Sequence, residues 1–336
     1  MNSQNPRTYA ESGVDILAEE RAVKALKKHF KAKKKSLGSP IIVDGAYAGL
    51  LDMGNFILGI TTDGVGSKVL IATEVGNWRT IGIDCIAMNV NDLYAMGLEP
   101  IAFVDYLAME SIEPSVADQI GQGLAKGAEI AEVSIVGGET ASLPDVVRGF
   151  DLAGTCIGIA SKDELVTGQR IEKADAIVGI PSSGMHSNGL TLARKLLAKY
   201  SLHERYGGIK RTLGEELLVP TRIYSEILNI NRTCEVHGLA HITGGGLLNL
   251  SRLTPLGFDL SDPLPPQEIF KMIQEEGVEV EEMYKTFNMG MGFAIIAPES
   301  EVGTILRRSN GAKLVGTVSS RGIRVQLEER QVEIAR

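Results

Sequence analysis

The sequence predicts a layered α/β protein of two domains, and three observations carry that expectation. At 336 residues the chain is long enough for two domains of about 150 residues each. In both halves, short apolar runs of strand length alternate with segments whose apolar residues recur at helical spacing. Between the halves, residues 161–175 are polar and break the pattern, which sets domains of 1–165 and 166–336.

The first helix is expected over 15–33, with Ile16, Val23, Leu26 and Phe30 on one face. Lys24, Lys27, Lys28, Lys31 and Lys33 take the other face, a solvated flank on pattern alone. The small-residue loop Gly45-Ala46-Tyr47-Ala48-Gly49 precedes a strand over 56–61. A helix over 84–96 turns Ile86, Val90, Leu93 and Met96 inward. Strands over 101–107, 134–136 and 152–160 follow, with a helix over 118–131 between the first two. The second half opens with a strand over 176–180, a helix over 190–200 and another near 215–228. A short strand over 240–243 and a glycine triplet lead into a further helix, and late strands cover 293–297, 313–318 and 323–328. There is no short-period repeat.

Hydrophobic residues make up 44% and charged ones 23%, which suits a globular core. Thirty-four basic against 42 acidic side chains give a net charge of −8, and an acidic surface argues against a general nucleic-acid binder. The 38 glycines are about 11% of the chain against ~7% in ordinary proteins, so turns and close-approach loops are frequent. Cys85, Cys156 and Cys234 form no C-x-x-C pair, which fits a reducing compartment. The N-terminus has no apolar signal core, and no apolar run nears the ~20 residues that cross a bilayer. The expected location is the cytoplasm, with neither membrane nor nucleic acid as partner.

The familiar phosphate-binding loop G-x-x-x-x-G-K-[ST] is absent, as are G-x-G-x-x-G, H-E-x-x-H and G-x-S-x-G. Chemistry must come from other constellations. Thr61-Thr62-Asp63-Gly64-Val65-Gly66-Ser67-Lys68 follows a strand. Gly64 and Gly66 let backbone N–H groups approach an anion, Asp63 offers a hard oxygen to Mg²⁺, and Lys68 can neutralise phosphate. An ordinary turn whose Asp caps the backbone explains the string equally well. Asp84 and Asn91 share a helix face about 10 Å apart, with Asp92 beside them, although Asp84 taken alone reads as an N-cap.

Gly137-Gly138-Glu139-Thr140 repeats the pattern of an acid after glycines at a strand end. Asp63, Asp84 and Glu139 are therefore expected to converge at one sheet edge and hold magnesium with a nucleotide. In the second half His186 sits among serines and glycines before a helix, placed to meet an anion or move a proton, or else on a capping loop. Thr243-Gly244-Gly245-Gly246 also leads into a helix, where a phosphate suits the helix dipole.

TYAESGVDI, TTDGVGSK, IGIDCIAMNVNDL, VDYLA, VGGETA, SSGMHSNG, PTRIY, HITGGG and MYKTFNMGMG occur in this order along the chain. Together they resemble the phosphoribosylformylglycinamidine cyclo-ligase (aminoimidazole ribonucleotide synthetase) family, from about Tyr9 to the C-terminus. One departure is the Gly45–Gly49 segment, where bacterial members carry a longer glycine-rich run.

The resemblance implies ATP-dependent ring closure of formylglycinamidine ribonucleotide in purine biosynthesis. It implies Mg²⁺ at Asp63, Asp84 and Glu139, and catalytic roles for Asp63, Lys68 and His186. Nucleotide contacts would come from Lys27, Gly64, Gly66, Asn91, Asp92, Gly138, Thr243, Gly244 and Gly245; for Lys27 this replaces the solvated-flank reading. It also implies a homodimer whose N-terminal sheets form a barrel across the two-fold axis. Two other readings compete: a small-molecule kinase on the same scaffold, similar to thiamine-monophosphate kinase, and a non-catalytic nucleotide-binding regulator.

Overall fold

The computed structural model describes residues 6–30, 37–328 and 330–334. In the first half, helix α1 (Ile16–Lys27) begins at Asp15, whose carboxylate accepts the Ala18 N–H at 3.0 Å. The helix is shorter than expected, and Lys31 and Lys33 lie outside the described residues. Its apolar face is not packed inward: Leu26 is 60% and Phe30 72% exposed.

Strands β1 (Ser39–Ile41), β2 (Gly49–Asp52) and β3 (Ile57–Gly64) come next, then helices α2 (Lys68–Val75) and α3 (Ile81–Tyr94). β4 (Glu99–Met109), α4 (Pro114–Ala131), β5 (Ser134–Ser142) and β6 (Phe150–Ala160) complete this half. The strands form one sheet in the order β1-β2-β3-β6-β4-β5. Only β4 and β5 pair in parallel, because α4 carries the chain back across the sheet between them. α3 covers one face with Ile86, Val90 and Leu93, and α4 packs on α3 through a stripe from Val116 to Ala131. The other face carries Ile60, Val104 and Tyr106, all exposed, and no described element covers them.

The second half runs β7 (Ala176–Pro181), α5 (Leu190–Leu196), α6 (Leu213–Leu217), α7 (Glu226–Thr233) and β8 (Gly238–His241). After a 3₁₀ turn at Gly246–Arg252 come β9 (Gly257–Leu260), α8 (Glu268–Glu275), α9 (Val280–Thr286) and β10 (Met291–Ala297). α10 (Val302–Arg308), β11 (Lys313–Ser319), β12 (Ile323–Gln326) and β13 (Gln331–Ile334) close it. The sheet order is β13-β12-β9-β11-β7-β10-β8, and β10 is buried along its whole length. The helix expected near 215–228 is two helices. Pro220 lacks an N–H and restrains Val219 before it, so 218–225 crosses to the first half as an irregular segment. No helix among the described residues is long and apolar enough to cross a membrane.

Candidate active site

The two halves meet along a polar seam in which most of the expected residues lie. Lys68 opens α2 and Asp84 sits in the first turn of α3, whose N-cap is Thr80. Both side chains are fully buried, and Nζ lies 2.9 Å from Oδ1 and 2.8 Å from Oδ2. Nζ also donates to the Val219 carbonyl at 2.7 Å. Asp84 Oδ1 further accepts from the Thr221 N–H (2.7 Å), the Thr221 hydroxyl (2.6 Å) and the Ser187 hydroxyl (3.1 Å). Burial pulls the Lys68 ammonium below its ordinary value, and the Asp84 charge opposes that. Asp84 Oδ1 is thus engaged by protein donors, and the Lys68 ammonium faces Asp84 within the seam.

Asn91 is likewise a fastener between the halves. Its Nδ2 donates to the Arg222 carbonyl at 2.8 Å, and its Oδ1 accepts the Tyr224 N–H at 3.0 Å. Nδ2 also stands 3.4 Å from His241 Nε2. That arrangement makes Nε2 the acceptor and assigns the imidazole proton to Nδ1, which lies 2.9 Å from Asp92 Oδ1. Asp92 is partly exposed and points its charge toward Asp63.

Asp63 belongs to the last two residues of β3. Burial first, and Asp92 second, push its carboxyl up to about 6; the Gly64 N–H, donated to Oδ1 at 2.7 Å, and His241 work against them. The Gly64 donor is thus directed at Asp63 and away from any anion, and Gly66 is an exposed turn residue. Across the sheet, Asp63 pairs with Gly154, Gly154 with Asp105, and Asp105 with Gly138. Residues opposite one another in register share a face, so Asp63 and Asp105 are on the same side. Gly138 serves that arrangement: a Cβ there would collide with Asp105 Oδ1. Burial raises the Asp105 carboxyl as well.

Glu139, one residue on, opposes Tyr106, which opposes Ala153. It is exposed on the face opposite Asp63. Of the three acids, Glu139 thus lies on the other face of the sheet from Asp63, and Asp84 is paired with Lys68. Among the described residues, no three His, Cys, Asp or Glu side chains are arranged to hold a metal. Asp63 and Asp92 carry charges that oppose one another, and a hard cation, which takes a few carboxylates together with phosphate oxygens and water, would relieve that repulsion.

His186 is buried at a left-handed backbone position, φ 63°. Its Nε2 accepts the Ser183 N–H at 3.1 Å, which leaves the proton on Nδ1, and Nδ1 has no partner. Burial, followed by His241, Lys68 and Arg222, holds the ring well below its usual value and so neutral. It is equipped to donate one hydrogen bond.

A cavity of about 690 Å³ lies between α1, Gly45 and the glycine triplet, lined by Ile16, Leu17, Glu20, Gly244, Gly245 and Arg252 among others. Asn249 Nδ2 holds the triplet by donating to the carbonyls of Thr243 (3.5 Å), Gly244 (3.1 Å) and Gly246 (2.9 Å). Lys27 is exposed in the last turn of α1 and does not line this cavity. Sequence reasoning overlooked Asp105, His241, Thr221 and Arg252. The strings VDYLA, HITGGG and PTRIY mark the first three, and Arg252 has no local signal at all.

The chain matches the family described as AIR synthase related protein, N-terminal domain, over residues 45–160, and its C-terminal domain over 172–328. It is 58% identical to the phosphoribosylformylglycinamidine cyclo-ligase of Methanosarcina barkeri, with 96% of this chain and 98% of that one covered. The cyclo-ligase of the same name from Pyrococcus furiosus is 53% identical over 94% and 96% of the two chains. Among solved structures, "AaThiL complexed with AMPPCP and TMP" superposes with a TM-score of 0.66 at 18% identity, covering 95% of this chain and 98% of that chain. "T. maritima PurL complexed with ADP" gives 0.57 at 18% identity, with 92% of this chain and 46% of that one covered. At that identity the structures speak for the fold, whereas the sequence relatives run nearly end to end: the chain belongs to the phosphoribosylformylglycinamidine cyclo-ligase family of AIR synthase related proteins.

Proposed function

We propose that this protein uses ATP to close the imidazole ring of formylglycinamidine ribonucleotide, giving aminoimidazole ribonucleotide, ADP and phosphate. The observation that carries this reading is its identity of more than half, nearly end to end, with cyclo-ligases from several archaea. The formyl amide oxygen attacks the γ-phosphorus and ADP leaves. The substrate's own amidine nitrogen then attacks the formyl carbon, phosphate departs with the former amide oxygen, and a proton is released. An amide oxygen is a poor leaving group and a phosphate a good one, and the nucleophile is already tethered, which supplies a large effective molarity. No enzyme nucleophile is required. Cys85 and Cys156 are buried with their thiols pushed up, consistent with a packing role.

ATP occupies the cavity at Gly244 and Gly245, with the Thr243 turn toward its phosphates. Asp63 and Asp92 would hold Mg²⁺, which would supply positive charge to the transferring phosphoryl group. Asp105 shares their face of the sheet. His186 donates its free Nδ1–H to an oxygen of the substrate. The protein works as a cytoplasmic homodimer of two-domain chains (1–165 and 166–336). The exposed apolar face of the first sheet supports a dimer in which two such sheets meet and close a barrel. Glu139 lies on that face, so a part in metal binding is not assigned to it.

The test is product analysis with formylglycinamidine ribonucleotide and ATP. Aminoimidazole ribonucleotide with one ADP per turnover is the expected result. A stable phosphorylated substrate with no imidazole would make the protein a kinase on the same scaffold.

A further inference from the structure

Arg252 ends the 3₁₀ turn that follows the glycine triplet, and its guanidinium reaches back to the first half of the chain. Nε donates to the Gly45 carbonyl at 3.1 Å and Nη2 to the Ala46 carbonyl at 3.0 Å, while Nη1 lies 3.3 Å from Asn249 Oδ1. The guanidinium carbon stands 3.9 Å over the centre of the Tyr47 ring. Tyr47 is itself buried, and its hydroxyl donates to the carbonyls of His241 (3.4 Å) and Asn249 (3.5 Å). Backbone fit adds to the contact. Gly45 has φ 76°, and a Cβ there would collide with the Arg252 carbonyl, so this loop can close on the second half only with glycine at 45.

The contacts form a chain. The Tyr47 ring and the carbonyls of Gly45 and Ala46 fix Arg252, Arg252 fixes Asn249, and Asn249 holds the carbonyls of Thr243, Gly244 and Gly246. Gly45 and Arg252 both line the cavity of about 690 Å³, and Arg252 is the cation among its lining residues. Three hydrogen bonds and one face on the tyrosine hold the guanidinium at the wall of the cavity.

We infer that Tyr47 and Arg252 are a latch: positioning residues that hold the 45–48 loop and the glycine triplet in one cavity shape and thereby set the affinity for the nucleotide. The inference rests on the reading that ATP occupies this cavity. Loosening the latch costs binding of the occupant and leaves the chemistry at Asp63 alone.

Full-length Tyr47→Ala, Tyr47→Phe and Arg252→Lys proteins test it. ATP and formylglycinamidine ribonucleotide are varied separately, and a non-hydrolysable ATP analogue is titrated by calorimetry. Tyr47→Ala and Arg252→Lys should raise the ATP KM and the analogue Kd roughly tenfold, within the range of a buried cation–π contact, with kcat within about twofold. Tyr47→Phe should return both to within about twofold of the parent, because the ring face and not the hydroxyl holds the guanidinium. Arg252 is only half-buried, so Arg252→Lys still reports should Tyr47→Ala unfold. A fall in kcat with the ATP KM unchanged, or Tyr47→Phe as impaired as Tyr47→Ala, overturns the latch. A rise in KM for formylglycinamidine ribonucleotide in place of ATP upholds the latch and overturns the assignment of the cavity to the nucleotide.

Discussion

Lys68 Nζ and Asp84 Oδ2 lie 2.8 Å apart with neither side chain exposed, and the pair ties the two halves together through Val219, Thr221 and Ser187. Removing one member leaves the other charge buried without its partner. Lys68→Met or Asp84→Asn should each cost about 3–5 kcal/mol, read from urea unfolding midpoints. The double variant should recover part of that loss. The Mg²⁺ concentration giving half-maximal activity should stay put in Asp84→Asn. A large increase would mean that Asp84 is a metal ligand after all.

Asp63 sets a pH dependence whose sign can be worked out. Its carboxyl titrates at about 6 in the fold and near 3.9 in the unfolded chain, so the native state binds the proton more tightly. A raised carboxyl contributes stability in full below the unfolded value and loses it as pH rises through the folded one. Lowering the pH from 7.5 to 5 should therefore favour the wild type over Asp63→Asn by about 1 kcal/mol. Parallel denaturant titrations at the two pH values measure the difference. A gap that stays constant or reverses rejects the raised carboxyl.

Local signals made several parts of this site legible and left others hidden. Asp63 and the helix carrying Asn91 and Asp92 follow from strand-end chemistry and helical spacing. α2 was hidden because KVLIATEV is apolar nearly all round and shows no amphipathic period. The face Glu139 takes was hidden because it depends on register, and β4 and β5 shift register between Phe103 and Val104. Thr221 and Ser187, which hold Asp84 from the second half, are more than a hundred residues away, so nothing near IGID announces them. α1 does have its apolar stripe, but a stripe cannot say whether the same chain covers it.

Gly138 and Gly137 form a paired test of the Asp105 row. A Cβ at 138 would strike Asp105 Oδ1, whereas at 137 its nearest neighbour is Val104 Cγ1 at 3.9 Å. Gly138→Ala should cost about 1–3 kcal/mol and lower kcat by displacing Asp105. Gly137→Ala should leave both near the parent values. Thermal unfolding and turnover on the two variants decide it, and equal behaviour would remove Asp105 from the site.

The uncovered sheet face predicts the oligomeric state. Ile60, Val104 and Tyr106 stand exposed on a six-stranded sheet whose other face is packed under α3. An apolar patch of that kind on a single chain marks an association surface. Val104→Lys places a charge where the chain alone leaves it in water, so the fold of each chain should survive. In a dimer closed over that face the same ammonium would be buried without a partner, at a cost of several kcal/mol. Analytical ultracentrifugation at micromolar concentration should find two chains per particle for the parent and one for Val104→Lys, with matching circular dichroism. A variant that stays dimeric would place the interface on another surface and leave this face for something else to cover.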